Sequence, residues 1–580
     1  MSHQNLFFFF LLLFSPTISP CPDSGPVEPT TPLVSFLQRL QSTALQTLGP
    51  ANFDPKLYVD LPLKSNLSST QAAFDKLPRS PNGSVPVSVL YRFVNRYLGR
   101  AGTDLVPADP EDFVPEPEGF LLKVENEEVR AWALEVHSLW KNLSRRVSDE
   151  VRGRPDLHTL LPLPGRFVVP GSRFREVYYW DSYWIVRGLL VSKMYETAKS
   201  ITLNLLSLVK NQPPLLSSMI LEVYKKTGDL TLVKKALPLL VKEHRYWNSG
   251  IHRVTIQDAT GHNHVVSRYY GMWNKPRPES ATIDEKSASK LPVGSIKEKF
   301  YRQLATTAES GWDFSTRWMR NHTDFTSLAT TSVIPADLNA YILKMELDIA
   351  FFARLTGDDS AAERFSAVSH ARFAAINSIF WNAKMSQWLD YWLINNNTCK
   401  VTSAYNFTML TSFNLQTSPF LKYSPFPIPS IRKLMSGKCT IKIETFLHQT
   451  SFLYGLSYDA KVKKVMKSLQ SSRLLHDAGI ATDFPNGWAP LQHMIVEGLL
   501  KSGLREARTL AEDIAVRWIR TNYAAYKKTG AMHEKYNVEA CGKIGGGGEY
   551  VPQTGFGWTN GVVLAFLEEF GWPRDLKIDC

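Results

Sequence analysis

Apolar residues recur every three to four positions through most of this chain, the spacing that collects them on one face of an α-helix. In 229–247 the repeating positions are Leu230, Val233, Leu237 and Leu240, and in 337–355 they are Leu338, Tyr341, Ile342, Met345 and Ile349. The same period runs through 34–48, 363–379, 491–500, 504–523 and 561–570. Each stripe predicts a helix with one core-facing side. Alternation with a period of two is rare: 254–257 and 265–269 flank a turn at 258–261 and predict one small hairpin.

Between the helical segments lie loops rich in Trp, Gly, Pro and carboxylates, and the unusual residues gather there rather than on the helices. Loops on a rigid scaffold usually carry function. Many antiparallel helices with chemistry at one set of loop ends predict an all-α helical toroid. A purely structural helical-repeat scaffold is disfavoured, because it would show carboxylates and Trp on exposed helix faces.

Composition adds the class and the address. With 44% hydrophobic residues and 15 Trp in 580 positions, the chain can bury a large core, and one large catalytic domain can wrap a sequence of this length. The formal charge of +12 is dispersed among Asp and Glu. The locally basic stretches 432–442 and 461–467 lack the interleaved aromatics of a single-strand binder, so nucleic acid is not the expected partner. The apolar run from Leu6 to Phe14 falls short of the roughly 20 residues of a bilayer span. It reads as a signal-peptide core within 1–20, with an uncleaved N-terminal anchor as the alternative, because the run is preceded by no Lys or Arg. A Pro-rich linker at 21–33 leads into a catalytic domain at 34–580. Sequons at Asn66, Asn82, Asn142, Asn321, Asn396 and Asn406 fit a secretory route, which places the protein outside the cell or anchored on its outer face. Cys21, Cys399, Cys439, Cys541 and Cys580 show no CxxC spacing, so no zinc site is indicated, and they allow at most two disulfides.

Four clusters carry candidate chemistry. The 170–184 stretch holds Arg173, Tyr178, Trp180 and Asp181, which would offer flat aromatic faces to a pyranose and planar charged groups to its hydroxyls; the bland alternative is an aromatic loop packed on the core with paired charges. A second cluster joins Arg277 and Glu279 to 309–318, where Asp313 sits between Trp312 and Phe314. Desolvation there would raise a carboxyl pKa, as a general acid requires; otherwise Asp313 is the N-cap of a short helix. The third runs from His533 and Glu534 through four glycines at 545–548 to Glu549 and Gly561. Consecutive glycines allow close approach to a ligand or a mobile flap, and the order is not that of a phosphate loop; a flexible linker is the competing reading. The fourth, 483–492, turns and opens a helix with Pro490 in its first turn.

Together these segments resemble the trehalase family of glycoside hydrolases, whose two signature stretches look like 170–183 and 483–490. The 309–318 and 545–561 stretches and 568–572 look particularly like plant trehalases. The resemblance extends from about residue 34 onward. It implies an (α/α)6 toroid with a loop-built active site at one end, hydrolysing α,α-trehalose to two glucoses with inversion. By the same resemblance Asp313 matches the general acid and Glu534 the general base. Arg173, Trp180, Asp181, Gln212, Arg277, Glu279, Gly311 and Glu549 match substrate contacts, and neither cofactor nor metal is implied. An inverting pair needs one protonated and one ionised carboxyl about 6.5–9.5 Å apart, with water between the base and the sugar.

The resemblance breaks in places. An Asn-Gly-x-Arg loop expected after the first signature is missing, since 201–209 runs almost directly into 210–214, and Lys210 stands where an Arg is expected. Lys cannot supply a bidentate fork, so weaker grip on one glucose ring is expected. Ala481 and Thr482 replace the Gln-Trp that normally precedes Asp483, and 395–465 is atypical, with Ser- and Pro-rich stretches. The alternative function is therefore a catalytically impaired trehalase-like sugar-binding or regulatory isoform, which trehalose turnover separates from the enzyme.

Overall fold

The apolar stripes become helices because both their ends and their faces are satisfied. The Leu230–Trp247 helix begins where the Asp229 side chain accepts a hydrogen bond from the Leu232 backbone N–H, 2.9 Å away, and it buries Leu232, Val233, Ala236 and Leu240. The Ala336–Leu355 helix buries Leu338, Tyr341, Ile342, Met345 and Ile349, the predicted stripe. The N-terminal helix starts at Pro32, with Thr31 capping it, two residues before the predicted point. The structure is a computed structural model and describes residues 25–208, 212–393, 456–548 and 550–580. The 1–20 segment, Lys210, Glu549 and 394–455 lie outside the described residues.

The helices form two layers, and burial tells them apart. The Tyr179–Val191 helix buries 12 of its 13 residues, and the Gly557–Phe570, Ala489–Lys501 and Ala336–Leu355 helices are also buried on nearly every side. With Leu216–Thr227 they make the inner ring among the described residues. Glu127–Leu143, Tyr195–Leu208, Leu230–Trp247, Asp359–Ala375 and Arg505–Thr529 bury one face each and wrap the outside. This is the (α/α)6 toroid architecture. Among the described residues the first turns of Tyr179–Val191, Ala489–Lys501 and Gly557–Phe570 all reach one cavity, so these inner helices start at a common rim. Loops entering that rim carry the chemistry.

The tightest crossing is between Tyr179–Val191 and Gly557–Phe570. A Cβ at Gly188 would lie 2.5 Å from the Gly561 Cα, and one at Gly561 would lie 2.0 Å from the Trp184 carbonyl oxygen. Only glycine permits that approach.

Strands are short. The predicted hairpin forms as Arg253–Gln257 against Asn263–Ser267, with Arg253 opposite Ser267. Asn486–Trp488 pairs antiparallel with Lys535–Asn537, setting Trp488 opposite Lys535 and joining the second signature to the Glu534 strand. The last residues of the stretch read as atypical are ordered: Leu456–Gln470 is a helix, with Val462, Val465, Met466 and Leu469 buried at helical spacing.

A smaller apolar cluster, built from Phe36, Leu37 and Leu40 with Phe74, Leu90 and Phe93, holds the N-terminal helices beside the toroid rim. At the other end of the chain a disulfide joins Cys541 to Cys580 across 39 residues, a pairing the sequence left open. It ties the C-terminus to the segment that follows Glu534, and closing such a loop stabilises by about 4 kcal/mol in the chain-entropy model. Among the described residues no helix is long and apolar enough to cross a membrane.

Candidate active site

A cavity of about 630 Å³ opens at the rim where the inner helices begin. Its wall includes Arg173, Trp180, Asp181, Gln212, Arg277, Glu279, Gly311, Asp313 and Glu534, so every predicted site residue that lies within the described residues converges on it. Trp180 and Asp181 come from the first turn of Tyr179–Val191, and Gln212 stands just ahead of Leu216–Thr227. The Gln212 side-chain oxygen accepts from the Trp180 N–H at 3.0 Å, which ties the starts of these two inner helices together. Gly311 and Asp313 follow the end of Ser295–Glu309.

Glu534 is the most enclosed of these groups, 1% exposed. The Tyr550 hydroxyl donates to its Oε1 at 2.8 Å and the Gln553 backbone N–H to its Oε2 at 2.9 Å. Burial pushes its pKa up, while those two donors, Lys535 and Arg173 pull it back. Asp181 is driven well above the carboxylate range by burial, with the Glu534 charge adding to the effect. Two carboxyls are thus held at one cavity wall under different constraints.

Asp313 is exposed on the cavity side, which corrects the expectation that its two aromatic neighbours desolvate it. Trp312 turns into the core, where its carbonyl accepts from Trp318 Nε1 at 2.8 Å. Phe314 packs on Phe325 and beneath the Arg277 guanidinium, 4.7 Å from its centre. Trp312 and Phe314 border the same cavity as Asp313, yet Asp313 itself stays exposed, so flanking rings alone do not dehydrate it. Nor is Asp313 an N-cap: the short helix Thr316–Trp318 is capped by Ser315.

The charged groups are braced from outside. Arg173 makes a bidentate pair with Asp54, at 2.9 and 3.0 Å, and Arg277 one with Asp284, at 2.7 and 3.0 Å. The Arg173 guanidinium also lies over the Tyr550 ring, 4.8 Å from its centroid. The aromatic-loop reading of 170–184 is therefore half right: the charges are paired, but around a cavity.

Reading the sequence missed several wall residues. Asp483 accepts from Trp488 Nε1 and from Asn486 Nδ2, and burial raises its pKa. Trp488 supplies an aromatic face there, with Lys535 Nζ 4.9 Å above it. The signal for both was the second signature, 483–490, which was matched as a stretch without a role for Asp483 or Trp488. The glycines do not behave as a linker. Asn486 both donates to the Gly546 carbonyl and accepts from its N–H, at 3.0 and 2.9 Å, and Lys535 Nζ donates to the Gly547 carbonyl at 2.9 Å. A Cβ at Gly545 would meet Asn486 Oδ1 at 2.7 Å, so this segment needs glycine to lie on the cavity edge.

Behind the wall, Glu309 accepts from Tyr246 and from the Tyr270 N–H, both at 3.2 Å, and burial raises its pKa to about 8. A carboxyl raised in the folded state stabilises the fold fully below its unfolded pKa, and that contribution is lost as pH rises through about 8. Gln mimics the protonated form, since its oxygen can accept from Tyr270 and its amide can donate to the Tyr246 oxygen. Glu309→Gln is expected to melt above the parent at pH 8.5 and level with it near pH 4.5, as calorimetry across that range would read.

Among the described residues no group of three or more His, Cys, Asp or Glu is arranged to hold a metal ion. The groups present suit a neutral polyol: aromatic faces for C–H surfaces, paired arginines and carboxylates for hydroxyls, and two carboxyls for proton transfer.

Comparison with known proteins agrees with this chemistry. The family model described as Trehalase matches residues 50–420 and 451–571. A probable trehalase of Oryza sativa subsp. japonica is 56% identical over 574 residues, 94% of this chain and 97% of the rice protein. A trehalase of Arabidopsis thaliana is 51% identical over 588 residues, 96% and 89% of the two chains, and a trehalase of Homo sapiens is 35% identical over 548 residues, 89% and 86%. Among solved structures, neutral trehalase Nth1 from Saccharomyces cerevisiae aligns with a TM-score of 0.55 at 20% identity, over 76% of this chain and 94% of that one, a likeness of fold.

Proposed function

The chain belongs to the trehalase family, and from that premise we propose that it hydrolyses α,α-trehalose to two glucoses with inversion, Asp313 acting as general acid and Glu534 as general base. The observation that carries the roles is that both carboxyls line one cavity, Glu534 buried and held by two donors, Asp313 exposed on the same wall.

The donors from Tyr550 and Gln553 favour the ionised form of Glu534, which suits it to take a proton from water. Asp313 would be dehydrated by the sugar itself, which favours its protonated form and lets it give that proton to the glycosidic oxygen. Water attacks the anomeric carbon from the face opposite the leaving glucose, the C–O bond breaks, and Glu534 ends protonated and Asp313 ionised. Arg173, Arg277 and Glu279, with Trp180 and Gln212, would grip the hydroxyls and faces of two non-reducing rings. Gly311 has φ +69°, and a Cβ there would sit 3.6 Å from the Trp180 ring, so a side chain would crowd the face that Trp180 offers.

A site that hydrogen-bonds both rings of a 1,1-linked disaccharide leaves polar groups unpaired with any other linkage. Glucose release by the purified chain is expected to show kcat/KM for trehalose at least about 100-fold above that for maltose. Equal rates on the two sugars would reject the substrate assignment.

We infer a secretory route as well. The disulfide suits an oxidising compartment, and the sequon residues Asn66, Asn82, Asn142 and Asn321 are all exposed. A mass shift on treatment of the plant-expressed protein with an N-glycosidase tests it; an unchanged mass opposes it.

A further inference from the structure

We propose that Tyr550 is the positioning residue of the general base, its hydroxyl setting the plane of the Glu534 carboxylate and keeping one oxygen aimed at water. The inference rests on the assignment of Glu534 as base. Two donors hold that carboxylate, Tyr550 on Oε1 and the Gln553 N–H on Oε2, and they come from the same short stretch after the glycine segment. The stretch is itself bolted to the Glu534 backbone: Glu534 N–H donates to the Gln553 carbonyl at 2.9 Å, and Trp558 Nε1 donates to the Glu534 carbonyl at 3.0 Å. The carboxylate therefore cannot turn without breaking a bond to Tyr550 or Gln553.

Tyr550 is in turn held from its other sides. The Arg173 guanidinium covers its ring, and Phe174 meets it edge-on with centroids 5.4 Å apart. Arg173 is pinned by Asp54, and its own backbone N–H donates to Gln553 Oε1 at 3.0 Å. A chain of contacts thus runs from Asp54 through Arg173 and Tyr550 to Glu534. Burial and the neighbouring Glu534 charge, with Asp313 adding, push the phenol far above its ordinary value, so it stays a donor at any working pH. The charged and titratable groups facing Glu534 are Tyr550, Lys535, Arg173 and Asp181. Of these, Tyr550 hydrogen-bonds the carboxylate directly, and its ring is not a charge, so its removal changes orientation and proton affinity without changing net charge.

The test compares the parent, Tyr550→Phe, Glu534→Gln and a chain carrying 3-fluorotyrosine at position 550, by kcat, KM and the pH profile of kcat/KM on trehalose. Phe keeps the ring packing and removes only the donor. The expected result is a fall in kcat of about 10- to 100-fold with KM little changed. The acidic limb moves to higher pH, because the ionised carboxylate has lost a hydrogen bond. The fluorinated ring, a stronger donor that keeps the fold, moves that limb to lower pH. If neither variant shifts the limb while Glu534→Gln is inactive, the positioning role is overturned and the base assignment stands. If Glu534→Gln turns over trehalose like the parent, the base assignment itself falls.

Discussion

Glu534→Gln and Asp313→Asn are each expected to lower kcat on trehalose by about 10²- to 10⁴-fold, because each removes one end of a proton transfer made in the same step. Both replacements are near-isosteric. Gln at 534 can still accept from the Gln553 N–H and present its amide to the Tyr550 oxygen, and Asp313 is exposed, so unfolding transitions should match the parent. The double variant should be about as slow as the slower single one, since residues that act in one step do not contribute additively. The acidic limb of the profile should lie above the ordinary carboxylate range, because burial raises Glu534 and activity is lost as pH falls through its pKa. Glucose release in steady state checks the rates and the pH profile, and thermal unfolding the transitions; a Glu534→Gln chain within about threefold of the parent would contradict the assignment, being far short of the loss expected for a general base.

Gly561→Ala is expected to cost about 3 kcal/mol or more, a large effect for one added methyl. The new Cβ would lie 2.0 Å from the Trp184 carbonyl oxygen and 2.8 Å from its carbon, and neither belongs to a side chain that can turn away. The two inner helices would have to separate. One of them begins with Trp180 and Asp181 and the other with Trp558, all on the cavity wall, so the damage should reach the site as well. Gly153→Ala is the control: a Cβ there meets nothing within 4 Å, and its effect should stay within about 0.5 kcal/mol. Urea unfolding of the three chains reads the difference, and equal midpoints for parent and Gly561→Ala would mean the crossing is looser than the geometry states.

How much of the fold was legible in the sequence followed from which helices show a stripe. Leu338, Tyr341, Ile342, Met345 and Ile349 announce a helix and are all buried, although the stripe does not show that Ala336–Leu355 is buried on nearly every other side as well. Tyr179–Val191 is dry almost all round, so 3.6-residue contrast is weak there and the stretch read as a loop of chemistry rather than the start of an inner helix. The helical course of 456–470 was missed for a related reason: its stripe of Val462, Val465, Met466 and Leu469 follows a stretch with none.

The site residues were legible as clusters of Trp, Arg and carboxylates at loop ends, and the described ones do line one cavity. Their partners were not. Asp54 lies 119 residues before Arg173, and nothing in local spacing pairs them. Tyr550 and Gln553 stood within the glycine-rich cluster, yet their hold on Glu534 is a matter of how the chain doubles back between 534 and 553. Asp313 shows the opposite error: two flanking aromatic residues in sequence did not mean a buried carboxyl, since Asp313 is exposed at the cavity they also line.

Inversion on one cavity by Asp313 and Glu534 is the central claim, and proton NMR of the first products from trehalose tests it most directly. Attack by water on one anomeric carbon with inversion releases that glucose as the β-anomer, while the leaving ring keeps its α configuration. Inversion therefore predicts α- and β-glucose in equal amounts before mutarotation. Glucose released only as the α-anomer, or no glucose at all from a folded full-length chain, would contradict it.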